Sequence, residues 1–186
     1  MNAIPHFARS YADARAKFLP AARARDLALD SQELPDLRGV EGEVLAMDVA
    51  VLGERETESV LVLTSATHGI EGYCGSGAQV GLLHDEEFVR AVQAAGVAVL
   101  MVHAVNPHGF SYGRRVNEDN VDLNRNFHDF AAPLPVNGKS RIRLSASRQM
   151  AVRPRPASMS CTVWSALRAS ASKLANDTTV RTSSTA

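Results

Sequence analysis

Two cysteines, Cys74 and Cys161, are all the thiol chemistry in this 186-residue chain. They are too few and too far apart for a disulfide framework or a thiolate zinc site. No apolar run approaches the roughly 20 residues needed to cross a bilayer, and the N-terminus has no hydrophobic leader region. These absences argue against a disulfide-stapled secreted domain and against a helical membrane protein, so a cytoplasmic protein with no membrane partner is expected. Acid is scarce in one part only. From Gly138 onward nine Lys and Arg face the single acid Asp177, whereas the first 137 residues carry nineteen acids against eleven bases. The formal net charge of +0 therefore conceals two halves of different character. The second half also lacks two catalytic residue types, since no His follows His128 and no Glu follows Glu118.

What is present falls into the same two parts. Residues 1–137 read as a coherent α/β segment, and 45% hydrophobic content suits a domain with a proper core. Phe7, Tyr11, Ala14 and Phe18 recur at helical spacing and predict an N-terminal amphipathic helix that packs on the core. Glu43 to Leu52 and Ser59 to Ala66 are Val/Leu-rich and read as neighbouring strands. Gly77 to Leu83 and Glu86 to Ala95 read as helices, the second ended by Gly96. Val97 to Val105 is a near-continuous apolar run, as expected of a strand buried on both faces of a mixed or parallel sheet, and Asn106-Pro107-His108-Gly109 after it reads as a turn.

Residues 138–186 are dominated by Ser, Arg, Ala and Thr, with Val163-Trp164-Ser165-Ala166-Leu167 as the one apolar cluster. Such a composition buries too little surface to offset chain entropy and predicts disorder or weak helicity. It lacks the aromatic interleaving of a nucleic-acid binder and follows an acidic domain, so no nucleic-acid partner is expected. The switch beside Asn137-Gly138 reads as translation in a shifted frame, which would cut the domain and leave a sheet edge or helix face uncovered.

The chemistry gathers in two places. His68-Gly69-Ile70-Glu71 follows the run Val60-Leu61-Val62-Leu63, which reads as a buried strand, where an open sheet delivers side chains to the crevice beyond its carboxyl ends. Imidazole nitrogen and carboxylate oxygen both suit Zn²⁺, and a catalytic zinc takes three protein ligands with one open position. The same quartet also arises as an ordinary solvated loop. Further on, Arg114, Arg115, Asn117 and Asn120-Val121-Asp122-Leu123-Asn124-Arg125-Asn126-Phe127 offer guanidinium forks and amides suited to a carboxylate, or else a polar loop that caps its own turns. The order of the two clusters, with a strand between them, favours a shared site.

Together, His68-Gly-Ile-Glu71-Gly, Asn106-Pro-His-Gly-Phe110, Arg115 and Val121-Asp-Leu-Asn124-Arg125-Asn-Phe127 resemble the zinc carboxypeptidase superfamily, near the succinylglutamate desuccinylase and aspartoacylase type deacylases. The resemblance covers about Phe7 to Val136. It implies the N-terminal part of a three-layer α/β/α fold with a mixed sheet, and a zinc-dependent hydrolase acting on an amide bond beside a free carboxylate in a peptide or small molecule. His68 and Glu71 would be the first two zinc ligands, Asn124 and Arg125 would hold the substrate carboxylate, and Arg115 would polarise the scissile carbonyl, with Arg114 as the fallback. That family's third ligand is a later His and its general base a later Glu, and this chain has neither. His103 or His108 is a substitute ligand in principle, with His84 and His128 ranking lower; a hydrogen-bonded structural role is the plainer reading of His103. A non-catalytic remnant that binds a small carboxylate stands as the alternative to the enzyme. A nucleotide site is excluded because Gly69, Gly72, Gly75 and Gly77 form no G-x-G-x-x-G and no P-loop Lys follows. Ser76 is not in a nucleophile elbow, because Cys74 and Ala78 stand at the flanking glycine positions.

Overall fold

A four-stranded mixed sheet organises the chain. The computed structural model describes residues 3–53 and 57–125, so the part from 126 onward, including Asn126, Phe127, His128 and the basic tail, lies outside the described residues. The strands β1 (Ala28–Arg38), β2 (Val44–Leu52), β3 (Val60–Thr64) and β4 (Ala98–His103) are ordered β1-β2-β4-β3. β2 runs antiparallel to both β1 and β4, and β3 runs parallel to β4. The α/β class with a mixed sheet is therefore as expected. β3 is not the buried strand its apolar run suggests: it forms one edge among the described residues, where Val60, Leu61 and Val62 stand about half exposed. No helix among the described residues is long and apolar enough to cross a membrane.

Three helices face this sheet: α1 (Tyr11–Arg23), α2 (Gly72–His84) and α3 (Glu86–Ala95). The Ser10 side chain caps α1 by accepting from the Asp13 N–H, and Asp85 caps α3 by accepting from the Glu87 and Phe88 N–H groups. Both caps satisfy donors that a first helical turn leaves unpaired. Phe18, Ala21 and Ala22 of α1, Val80 and Leu83 of α2, and Val89 and Val92 of α3 share one core with Ala50 and Leu52 of β2 and Val99 and Met101 of β4. At about 25 cal/mol per Å² of apolar surface removed from water, this cluster supplies the main driving force of the fold.

Three local readings are corrected. Phe7 lies outside α1, as the residue that closes a short 3-10 turn at Ile4–His6, and is 45% exposed. Helix α2 starts at Gly72, five residues before the expected start, despite four glycines in its span. Close packing overrides propensity there: a Cβ on Gly72 would lie 2.8 Å from the Ala66 Cβ, and one on Gly77 2.6 Å from the Phe7 ring. Asn106-Pro107-His108-Gly109 opens a short helix, α4 (Pro107–Ser111), which Asn106 caps through the Gly109 N–H. β1 carries no apolar run and was not foreseen; it becomes a strand by pairing with β2 from Ala28↔Val51 to Arg38↔Val44, across a bulge.

A second cluster sits past the end of β4 and joins Tyr11, Ala14, Leu45, Ala66, Ala104 and Phe110. The Tyr11 hydroxyl donates to the Ala46 carbonyl at 2.9 Å and accepts from the Ala46 N–H at 2.8 Å. One phenol thus satisfies both backbone groups of a buried β2 residue beyond the reach of β4. This cluster forms the floor beneath the strand ends.

Candidate functional site

β3 and β4 end side by side, and the chain leaves both through a left-handed alanine, Ala66 at φ 56° and Ala104 at φ 61°. Side chains rarely accept this conformation, which costs roughly 1–2 kcal/mol per residue. The two departing segments are joined by Val105 N–H to Ser65 O and Asn106 N–H to Ala66 O, each 3.0 Å. The segment after β3 reaches His68, and the one after β4 reaches Asn106 and α4. This is the crevice beyond the carboxyl ends of parallel strands, where α/β folds place ligands.

His68 is buried to 8% exposure. Its Nδ1 lies 3.0 Å from Glu71 Oε2 and its Nε2 3.1 Å from Asp122 Oδ1. Asp122 in turn accepts from Arg115 Nε at 2.8 Å through its other oxygen and from the Asn124 N–H at 3.0 Å. Burial acts to raise the Asp122 pKa, but the hydrogen bonds from Arg115, His68 and Asn124 outweigh it and hold the carboxyl below its ordinary value. The loop that returns Asp122 to His68 is built by the buried Asn117, whose side-chain oxygen accepts from Asp119 N–H at 3.1 Å and Val121 N–H at 2.8 Å. It is a self-capping polar loop, and it also delivers the site.

Of the residues expected from the sequence, His68, Glu71 and Arg115 are thus brought into one hydrogen-bonded set. Asn124 and Arg125 follow in a 3-10 turn (Leu123–Arg125), both exposed, with the Arg125 guanidinium on the Asn124 carbonyl at 3.2 Å. Arg114 contributes through its backbone, taking the Gly69 N–H on its carbonyl at 2.9 Å and giving its own N–H to Gly109 O at 2.8 Å. The hub that sequence reasoning missed is Asp122. Its signal was present as the one carboxylate inside the Val121–Arg125 run, but only the fold sets it against His68.

The donor set fits a metal in part. Zinc ligands at about 2.0–2.2 Å in tetrahedral array stand roughly 3.3–3.6 Å apart, close to the 3.0 Å between His68 Nδ1 and Glu71 Oε2. With the Nε2–H given to Asp122, these two atoms are both acceptors, and a proton or a cation between them relieves their repulsion. Beyond this pair the fit stops: among the described residues no group of three or more His, Cys, Asp or Glu is placed to hold a metal ion.

Among the described residues the other histidines do not join the set. His84 stacks on His6 with ring centroids 5.3 Å apart, and His108 stacks on Tyr112 at 4.6 Å. Burial and then the nearby Arg114 push the His108 pKa down. His103 is fully buried, with Nε2 2.9 Å from Ser76 Oγ and its ring stacked on Phe18 at 4.5 Å. It is a structural residue. Burial pushes its pKa down to about 4, against the opposing field of Asp48 and with that of Arg15. A neutral folded imidazole that charges on unfolding makes stability complete above the unfolded value near 6.5 and lost as pH falls towards 4. We therefore expect roughly 3 kcal/mol of acid destabilisation from this group alone across that window. Melting of wild type and His103→Asn between pH 7 and 4.5 checks it, since the variant should show a shallower decline; equal slopes would reject the assignment.

Residues 7–144 match the model of a family described as a protein of unknown function, DUF2817. No curated protein matches the chain. Among solved structures, a Burkholderia mallei ATCC 23344 protein with a provisional carboxypeptidase assignment is 20% identical with a TM-score of 0.45, over 72% of this chain and 35% of its own. A metallo-carboxypeptidase from Burkholderia cenocepacia is 21% identical with a TM-score of 0.45, over 72% and 37%. A glutaminyl cyclase from Porphyromonas gingivalis is 16% identical with a TM-score of 0.34, over 63% and 51%. The chain spans little more than a third of the length of the first two.

Proposed function

The chain belongs to the DUF2817 family, and within it we propose that the described residues form the cation- and carboxylate-binding half of a zinc-dependent amide hydrolase of carboxypeptidase or deacylase type. The observation that carries this reading is His68 held between Glu71 on Nδ1 and Asp122 on Nε2. A metal-binding histidine commonly gives its second ring N–H to a carboxylate, which fixes tautomer and orientation. Asp122 occupies that place and leaves Nδ1 facing Glu71. Bound there, zinc would supply Lewis-acid polarisation and an acidified water.

The chain's own residues prepare the rest. Arg115 spends Nε on Asp122 while its side chain stays 52% exposed, so the guanidinium is fixed at one edge and open to a carbonyl or carboxylate oxygen at the other. Asn124 and Arg125, on the exposed turn that follows, suit the free carboxylate of a peptide or small acyl-amino acid. No hydrolytic step is assigned to this set, because the described residues provide two metal donors and no general base. That fact favours a second reading, in which the half-site binds a cation and a carboxylate without turnover.

Zinc titration against a chromophoric chelator tests the reading. The wild-type chain should take up one zinc, and His68→Ala should weaken it at least tenfold. Equal affinity in the two proteins, or no uptake by wild type, would remove the metal from the proposal. Turnover of N-acyl amino acids by the zinc-loaded chain separates hydrolase from binding module.

A further inference from the structure

His68 and Asn106 each lie two residues beyond a left-handed alanine, and one buried polar pair spans the backbone at both departures. Gln79, on α2 and 3% exposed, donates its side-chain amide to Leu63 O at 2.9 Å and to Val102 O at 3.2 Å. These carbonyls belong to β3 and β4, just before each strand ends. The Gln79 Oε1 accepts from Ser65 Oγ at 2.9 Å, and Ser65 Oγ accepts from the Ala104 N–H at 3.3 Å. Two side chains thus engage three backbone groups around Ala66 and Ala104, where the sheet ladder gives out. We infer that Ser65 and Gln79 are a positioning pair that sets the direction in which both segments leave the sheet, and so the placement of His68 and of the Arg114–Arg115 loop; the metal readout of this inference rests on the function proposed above.

The path from the pair to the site is short. Asn106, with no exposed surface, gives its side-chain amide to Thr67 O at 3.4 Å and takes the Gly109 N–H at 2.7 Å. Gly109 O receives Arg114 N–H, and Arg114 O receives Gly69 N–H. His68 is therefore flanked by Thr67 and Gly69, both tied to the segment that follows β4. If the two strand ends lose their common tie, these contacts lose their register. A buried amide is an exacting tie, because its donor and acceptor ends are both used and neither is met by an apolar replacement.

The test compares Gln79→Leu, Ser65→Ala and the double variant with Val92→Ala, a core change on α3 away from the crevice. All are measured below their melting temperatures by amide hydrogen exchange and by zinc titration. Gln79→Leu should cut protection of the Gly69 and Asn106 amides at least tenfold and weaken zinc by roughly 10–100-fold, as loss of a supporting shell does. Ser65→Ala should do the same to a smaller degree, and the double variant should add little to Gln79→Leu. Val92→Ala should lower the melting temperature and leave both readouts unchanged. Unaltered Gly69 and Asn106 protection in Gln79→Leu, or loss in Val92→Ala equal to it, overturns the pair's role. Absence of zinc binding in wild type sinks the proposed function instead and leaves the exchange result to decide the pair.

Discussion

Asp48→Ala lowers the free energy of unfolding by about 3–5 kcal/mol, the cost of stripping one partner from a buried ion pair. Asp48 has no exposed surface and is held by three hydrogen bonds from two residues. Arg15 Nε meets Oδ2 at 2.8 Å, an Arg15 terminal nitrogen meets Oδ1 at 3.0 Å, and the Ser31 hydroxyl donates to Oδ1 at 2.6 Å. The pair therefore ties α1 to β2 and β2 to β1. Removing the carboxylate leaves the guanidinium, itself only 19% exposed, without its bidentate partner, and leaves Ser31 without its acceptor. Replacing both charges is a different experiment. Apolar residues of similar volume at the two positions avoid the stranded charge, so Arg15→Met with Asp48→Leu should be markedly more stable than the sum of the single changes predicts. Urea unfolding of wild type, Asp48→Ala, Arg15→Met, Asp48→Leu and the double variant measures this. A loss below about 1 kcal/mol in Asp48→Ala would mean that the pair contributes no more than an exposed one.

Gly69→Ala is expected to cost about 2–3 kcal/mol and to abolish the proposed zinc binding at the same time. An added Cβ would stand 2.0 Å from Gly109 O, 2.7 Å from Arg114 N and 2.7 Å from Arg114 O. All three atoms are backbone, so no side chain can swing aside to make room. The segment carrying His68 would have to separate from the loop carrying Arg115, and the Gly69 N–H to Arg114 O bond would break with it. Gly96→Ala is the matched control. Gly96 closes α3 at φ 60° with nothing within 4 Å of an added Cβ, so it suffers the left-handed strain and no collision. It should lose about 1 kcal/mol and keep wild-type zinc affinity. A folded Gly69→Ala that binds zinc as wild type does would refute the close approach as a condition of the site.

β2 and β4 were legible because burial writes a near-continuous apolar run, broken in Val44–Leu52 only by Asp48 and ended in Ala98–His103 by His103. β1 was illegible for the converse reason. Asp30, Ser31, Gln32, Glu33 and Asp36 give it no apolar run, and much of it lies on the surface, so its extended form follows from pairing with β2. The early start of α2 escaped notice because glycine lowers helix propensity, while the space for Gly72 and Gly77 is set by Ala66 nearby and by Phe110 and Phe7 from distant positions. In the site, His68 and Glu71 were readable from local spacing and Arg115 from its place in an ordered set. Asp122 was not, because its partner His68 lies 54 residues away. Ser65 and Gln79 left no trace as a pair, since a single Ser and a single Gln on adjoining elements form no pattern.

By itself the sequence determined the α/β alternation, the sheet-end location of the chemistry and the residue types available to it, because these follow from periodicity and from side-chain chemistry over short spans. Tertiary structure alone decided which nitrogen of His68 faces which carboxylate, which oxygen of Asp122 Arg115 holds, and that a buried amide ties two strand ends together. The bond from His68 to Asp122 spans 54 residues and those from Gln79 to Leu63 and Val102 span 16 and 23, so they are fixed by strand register and close backbone approach, and neither is written in any local run of residues.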